Sequence, residues 1–433
     1  MRRPSSDVGS LTVLLAASVP PTVPPRGRDP PATECCHDGG LCETPAVELP
    51  AGFTAHVANI GIKDDTDDFV VVAAERTCAA AAVFTRSRFA GPSVELSREH
   101  VADGRLRAVV VVSKNANVAN GDVGRRDAEE LASGVARAIG CDGAEVLVAS
   151  TGVIGRPYPM ERIRSHLETL AAPLGGRDAD AVARAIMTTD THPKTATATM
   201  PTIDGGVATV VGVAKGVGMI EPDMATMLAF VLTDAEVDPA TLDRTFRHVV
   251  DRTFNSLSID TDTSTSDTAA VLASGVAGAV DEAALRAALE SVCTDLTRQL
   301  AADGEGAETL IVVTATGARD DLQARRVAKS IVNSPLVKTA VHGADPNWGR
   351  VAMAVGKTAD TDDVDQDRVR IAFGGTEVYP RRLDASALAE LEDYLRHDEV
   401  SITVDLGMAD GTWTVYGCDL TDGYVRINAD YTT

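Results

Sequence analysis

Met224-Ala225-Thr226 stands where a glycine-rich stretch broken by Pro222 (GMIEPDMATML, 218–228) gives way to an apolar run that ends near Thr233. If Thr226 is a nucleophile, something must activate it. A threonine hydroxyl is inert at its own pKa, and none of the eight histidines stands at a spacing that would serve it. The remaining base is the α-amino group of the same residue, with an ordinary pKa of about 7.7–8.0. That requires Thr226 to become an N-terminus. Attack of its hydroxyl on the Ala225 carbonyl gives an ester, which water then opens. Pro222 restricts the backbone ahead of this bond, and the small Ala225 leaves room around its carbonyl. The plainer reading is a turn ending in a β-branched residue.

Other segments carry groups that suit acyl transfer. ASTGVIG (149–155) ends an apolar run in small residues. Backbone N–H groups and the Thr151 hydroxyl could hold an oxyanion there, although a simple strand-to-helix turn explains the same residues. IMTTDTHPK (186–194) places polar groups after an apolar helix end. DGEGAE sets Glu305 between two glycines, where its carboxylate is either solvated or a partner for an ammonium group. SPLVKTAVHGADPNWGR (334–350) is dense in functional groups and is either catalytic or a helix cap with a packing anchor.

Several chemistries are excluded. There is no GxSxG, HExxH, Walker loop or CxxC. KGVGM lacks the third glycine of a dinucleotide loop. DTDTSTSDT (260–268) opens like a calcium loop but has Thr265 and Val271 where Gly and Glu belong, so it reads as a hydrogen-bonded turn. Cys35, Cys36, His37 and Cys42 cluster without a second pair of ligands, and no metal site is expected.

The elements that must position these groups alternate. Ala108–Val112, the run before Thr151-Gly152, the run before Lys215, Thr226–Thr233, AVLASGVAG and TLIVVTATGA read as strands. RRDAEELASGVARAI, YPMERIRSHLETL, DPATLDRTFRHVVDRTFNSL, DEAALRAALESVCTDLTRQLAADG and DDLQARRVAKSIVNS read as helices. Leu285, Leu289, Val292, Leu296 and Leu300 share one helix face. RVRIAF, VSITVDLG and TWTVYGCDL are further strands, with a helix at DASALAELEDYL. Near-continuous apolar strands require sheets covered on both faces. The expectation is an α/β (α+β) protein of layered sheets covered by helices.

Of 433 residues, 44% are hydrophobic and only 4% aromatic, so the core is built from Ala, Val, Leu and Ile. The formal charge of −23 argues against nucleic-acid and anionic-membrane partners and suits a cationic small-molecule substrate. Cys78, Cys141, Cys293 and Cys418 lie singly, as reduced core thiols do, which points to the cytoplasm. No apolar run is long enough for a membrane span. Residues 1–47, rich in Pro, Gly and Ser, read as a disordered extension.

KGVGMIEPDMATML, ASTGVIG, IMTTDT, SIDTDTSTSDT, DGEGA, SPLVKTAVHGADPNWGR and the terminal GYVRINADYTT together resemble the ornithine acetyltransferase family, also called glutamate N-acetyltransferase or ArgJ. The resemblance runs from about residue 48 to Thr433. It implies an ArgJ/DmpA-like self-cleaving N-terminal-threonine fold, cut between Ala225 and Thr226. The two chains would be 48–225 (behind the extension) and 226–433, with a smaller C-terminal lobe from about 360. Thr226 would carry an acetyl group from N2-acetyl-L-ornithine to L-glutamate, as in the cyclic route of arginine biosynthesis. By the same resemblance Thr151 and Gly152 form the oxyanion hole. Thr188 or Thr189, Lys215, Glu305, Asn428 and Thr433 bind substrate. It implies no cofactor, with acetyl-CoA as a candidate second donor, and a dimer of cleaved pairs. The alternatives are a self-processing amidohydrolase or aminopeptidase with the same threonine chemistry, and a binding protein that keeps the fold.

Overall fold

Strand β1 (Phe53–Ala58) pairs antiparallel with the first part of a sixteen-residue strand, β2 (Phe69–Phe84). Beyond β2 lie β3 (Arg105–Val112) and β4 (Val146–Ser150). The later part of β2 pairs instead with β8 (Thr268–Ala279), which leads on to β7 (Leu228–Glu236), β6 (Val207–Lys215) and β5 (Lys194–Pro201). This computed structural model describes residues 46–221, 227–358 and 364–430, and residues from Ala46 onward form one unit.

The register of β2 shifts between Ala73 and Cys78, at the exposed Glu75 and Arg76. There the eight-stranded sheet doubles over, and its two halves share one apolar layer. Val109, Val111, Leu147 and Ala149 enter the same core as Val211, Val213, Phe230 and Leu272. Strand side chains alternate between faces, so the opposite faces need covers of their own.

Helices supply them. In chain order these are α1 (Pro92–His100), α2 (Gly121–Ile139), α3 (Met160–Leu167) and α4 (Ala179–Ala185) in the first half. Next come α5 (Pro239–Arg252) and α6 (Glu282–Ala302). Leu131, Val135 and Ile139 of α2 pack on Val110 and Val148. Leu285, Leu289, Val292, Leu296 and Leu300 of α6 are all fully buried, and the helix lies across β5 and β6. Burying each such leucine contributes about 1.5–3 kcal/mol. Part of the chain's acidity sits at helix starts: Asp238, Asp281 and Asp320 each accept a backbone N–H of α5, α6 and the helix after Asp320. Gly140 stops α2 at φ +75°.

The second sheet is five-stranded, ordered β11-β10-β12-β9-β13. Its strands are β9 (Leu310–Ala318), β10 (Arg370–Phe373), β11 (Thr376–Tyr379), β12 (Glu399–Asp405) and β13 (Gly411–Cys418). Helices α7 (Asp321–Val332), α8 (Pro335–His342), α9 (Trp348–Gly356) and α10 (Ala385–Tyr394) accompany it, and α11 (Asp422–Asp430) closes the described chain. This sheet takes an interior strand, β9, from Leu310 onward, ahead of the boundary near 360 expected for a smaller lobe. Among the described residues no helix is long and apolar enough to cross a membrane.

Candidate active site

Doubling the sheet brings the end of β4 to the end of β6. Thr151 and Gly152 follow β4, Lys215 ends β6, and Leu228 begins β7 opposite Lys215. A cavity of about 170 Å³ opens there. Thr151, Gly152, Thr188, Thr189, Lys215, Glu305 and Asn428 all line it. Ala225, Thr226 and Thr433 lie outside the described residues. Met227, the residue after Thr226, lines the cavity.

Gly152 holds φ +125°, and a Cβ on it would stand 2.3 Å from the Lys114 carbonyl carbon and 2.7 Å from Asn115 N. Only glycine fits between these backbones. The neighbouring loop is itself tight, with Lys114, Asn117 and Ala119 all at positive φ. Thr151 N donates to Val112 O at 3.1 Å. The Thr151 hydroxyl accepts from Lys215 Nζ at 3.1 Å, so its own proton can point at another acceptor.

Lys215 Nζ also donates to the Thr188 hydroxyl at 2.8 Å. Burial pushes its pKa below the ordinary lysine value, while the Asp190 carboxylate pulls the other way. Glu305 faces it on the same cavity. It accepts from Thr189 Oγ1 at 3.2 Å and from Asn428 Nδ2 at 2.9 Å. A Cβ on Gly218 would stand 2.6 Å from Glu305 Oε2, so the glycine lets this carboxylate lie against the backbone. The two threonines left open by the sequence both border the cavity, Thr188 on the cation and Thr189 on the anion.

The structure adds residues that sequence reasoning did not single out. Lys194 is fully buried between Asp190 (2.8 Å) and Asp303 (2.6 Å). Removing one partner of such a pair typically costs about 3–5 kcal/mol. Burial alone would raise the Asp190 carboxyl, but Lys215 and Lys194 hold it below its ordinary value, helped by the Gly216 N–H at 2.7 Å. Ser264, Thr265 and Ser266 form another wall. They belong to the turn that fails the calcium pattern, and their run of hydroxyls was the available signal. Asp260 of that turn accepts from Met219 N at 2.5 Å and Ile220 N at 2.8 Å. The same turn also holds Glu221, through its N–H to Asp262 O (2.8 Å), and Met227, whose carbonyl accepts from Thr268 N (2.9 Å). Both described flanks of 222–226 are thus fixed by one segment.

The 334–350 segment takes its packing role and does not line the cavity. Trp348 stacks on Tyr379 at 4.9 Å, and Lys338 Nζ donates to Cys418 O at 2.6 Å. Glu308, His342 and Asp419 approach one another closely, but Asp419 already accepts from Glu308 N and Thr309 N and lies 3.2 Å from His342 Nδ1. The Asp419 carboxylate of that cluster is thus taken up by protein partners. The Cys35–Cys42 cluster lies outside the described residues.

The cavity therefore offers a positive end at Lys215, a negative end at Glu305, and a hydroxyl and a glycine backbone beside them. Ile154, Met219 and Met227 supply apolar wall. Such a site suits a small zwitterionic molecule carrying both a carboxylate and an ammonium.

Comparison with known proteins gives the following. Residues 54–433 match the ArgJ family. Glutamate N-acetyltransferase Oat2 of Streptomyces clavuligerus is 58% identical over 392 residues, 89% of this chain and 98% of that protein. An arginine biosynthesis bifunctional protein of Rhodococcoides fascians is 54% identical over 389 residues, 89% of this chain and 94% of that one. A crystal structure of an arginine biosynthesis bifunctional protein from Bacillus halodurans shares 43% identity and a TM-score of 0.45, covering 48% of this chain and 100% of its own.

Proposed function

This chain belongs to the ArgJ family, and from that premise we propose that it moves the acetyl group of N2-acetyl-L-ornithine to L-glutamate through an acetyl ester on Thr226. It is an acetyltransferase of arginine biosynthesis, a glutamate N-acetyltransferase. The observation that carries the detailed reading is the pair of opposite charges, Lys215 and Glu305, held on one cavity beside Thr151 and Gly152.

The chemistry runs in two halves after the chain has cut itself between Ala225 and Thr226. Lys215 and Thr188 take the donor's carboxylate. Glu305, with Thr189 and Asn428, takes its side-chain ammonium. The Thr226 hydroxyl attacks the acetyl carbonyl and its own α-amine accepts the proton. Negative charge on the carbonyl oxygen is met by the Thr151 hydroxyl and the Gly152 N–H. One such donor typically contributes about 2.7–4 kcal/mol to the transition state. Collapse returns the proton to the departing α-nitrogen of ornithine and leaves acetyl-Thr226. The α-amine of glutamate then attacks the ester by the reverse steps, restoring the hydroxyl. No resident cofactor is needed, and acetyl-CoA is the second donor to be tried. The cleaved halves stay together and pair into a dimer of such pairs. Free, buried Cys78, Cys293 and Cys418 support a cytoplasmic setting.

The test is incubation with N2-acetylornithine with and without glutamate. Acetylglutamate that forms only when glutamate is present supports transfer. Acetate release indifferent to glutamate supports the amidohydrolase alternative. Thr226→Ala is expected to give one uncut chain with no transfer. A variant that still splits, or still transfers, removes Thr226 from the mechanism.

A further inference from the structure

Resting on the reading just given, we propose that the buried Lys194, clamped between Asp190 and Asp303, is a positioning residue that sets the span between Lys215 and Glu305 and so selects the length of the donor's side chain. Its ammonium is fully buried, as is the Asp190 carboxylate, and Asp303 is 3% exposed. None of the three reaches the substrate.

The connections run outward from this pin to both charged ends of the cavity. On one side Asp190 accepts from Lys194 and from Gly216 N at 2.7 Å, and Gly216 follows Lys215 directly. On the other, Asp303 accepts from Lys194 at 2.6 Å and lies two residues ahead of Glu305. Between them the loop 188–191 acts as a crossbar. Thr188 touches Lys215, Thr189 touches Glu305, Asp190 holds Lys194, and Thr191 donates from its N–H to Asp303 at 3.0 Å and from its hydroxyl to the same carboxylate. Consecutive Cα atoms are about 3.8 Å apart, so adjacent threonines that reach a cation and an anion leave little freedom in the span. Charge-assisted bonds in a dry interior keep fixed geometry, because no water competes for them. Lys194 and Asp190 precede the cut at Ala225 and Asp303 follows it, so the pin also joins the two halves.

The test compares N2-acetylornithine with N2-acetyllysine, which is one methylene longer. A fitted pocket discriminates one methylene by about 10–200-fold in kcat/KM. Asp303→Asn keeps the shape but removes the negative charge that holds Lys194 and one of two acceptor oxygens: Oδ2 takes Lys194 and the Thr191 N–H, and Oδ1 takes the Thr191 hydroxyl. The expected result is a fall of about tenfold or more in the ornithine-to-lysine ratio of kcat/KM, carried by KM for the shorter donor. Exposed Thr191→Val, which keeps the N–H bond to Asp303 and removes the hydroxyl's contacts to Asp303 and His192, shifts the ratio the same way by less. Should Asp303→Asn fail to fold, the Lys194→Met/Asp303→Asn double variant removes both charges and gives the same readout. Equal losses for both donors, with the ratio preserved in the folded variants, overturn the proposal and leave Lys194 a stability element. Failure of the unaltered enzyme to use either donor instead overturns the functional reading.

Discussion

Gly152→Ala tests the proposed oxyanion hole separately from substrate binding. The added Cβ would sit 2.3 Å from the Lys114 carbonyl carbon and 2.5 Å from its Cα, both backbone atoms that no rotamer change can move aside. Ordinary van der Waals contact begins at 3.4 Å, so one of the two backbones must shift by about 1 Å. A misplacement of that size, with loss of one oxyanion donor, lowers kcat by about 10²–10³-fold, or ~2.7–4 kcal/mol. The strained φ adds about 1–3 kcal/mol against the fold. Gly155→Ala is the control. Gly155 also has positive φ, at +82°, but its Cβ would meet nothing within 4 Å, so it carries dihedral strain without the collision. The assay is steady-state acetyl transfer at saturating donor, on protein whose chain cleavage is confirmed by mass and whose folding is confirmed by thermal unfolding. Loss of kcat in Gly152→Ala, with near-normal kcat in Gly155→Ala, is expected. A folded, cleaved Gly152→Ala protein with kcat within about twofold of the parent refutes the oxyanion assignment.

Burial lowers the pKa of Lys215, so this lysine loses its proton, and its hold on a carboxylate, at a lower pH than an ordinary lysine. KM for the donor should climb as pH rises on the alkaline side, and Lys215→Met should show a raised KM without that climb. The Asp190 carboxyl is held below its ordinary value of 3.8. Its stabilising contribution is complete above that value and is lost as pH falls through the lowered one, so Asp190→Asn should flatten the acid limb of a stability-against-pH curve. Leu289→Ala on the buried face of α6 should cost about 2–5 kcal/mol in denaturant unfolding and leave KM unchanged. Burial raises the Cys78 thiol to about 12 and the Cys418 thiol to about 11, so neither should be alkylated at neutral pH until the protein unfolds, as peptide mapping would show.

What the sequence revealed follows from how local each signal is. The face of α6 is written in five apolar residues at helical spacing, and all five are buried. Gly140 marks the end of α2 in the left-handed conformation that favours glycine. Thr151-Gly152 and Glu305 stood out because each sits where a strand or helix ends in small residues, whereas Lys215 was named as a substrate ligand through the family resemblance alone. Strand β2 was missed because Glu75-Arg76-Thr77 interrupts its apolar run; the strand continues through them while changing neighbours from β1 to β8. Strand β5 was missed because Thr-Ala-Thr-Ala alternates without bulk. Lys194 could not be read at all. After a proline in a polar stretch it looks solvated, and its burial comes from Asp303, more than a hundred residues further along the chain. Nor does local sequence tell that Trp348 serves packing while the plainer Ser264–Ser266 run lines the cavity.

The whole mechanism needs one residue to carry both the attacking hydroxyl and a free amine. Intact mass of the active protein under denaturing conditions, with N-terminal sequencing of each species, tests this most directly. The account requires two polypeptides, one ending at Ala225 and one beginning at Thr226. A single polypeptide continuous through that bond, in a preparation that transfers acetyl groups at full rate, would contradict it.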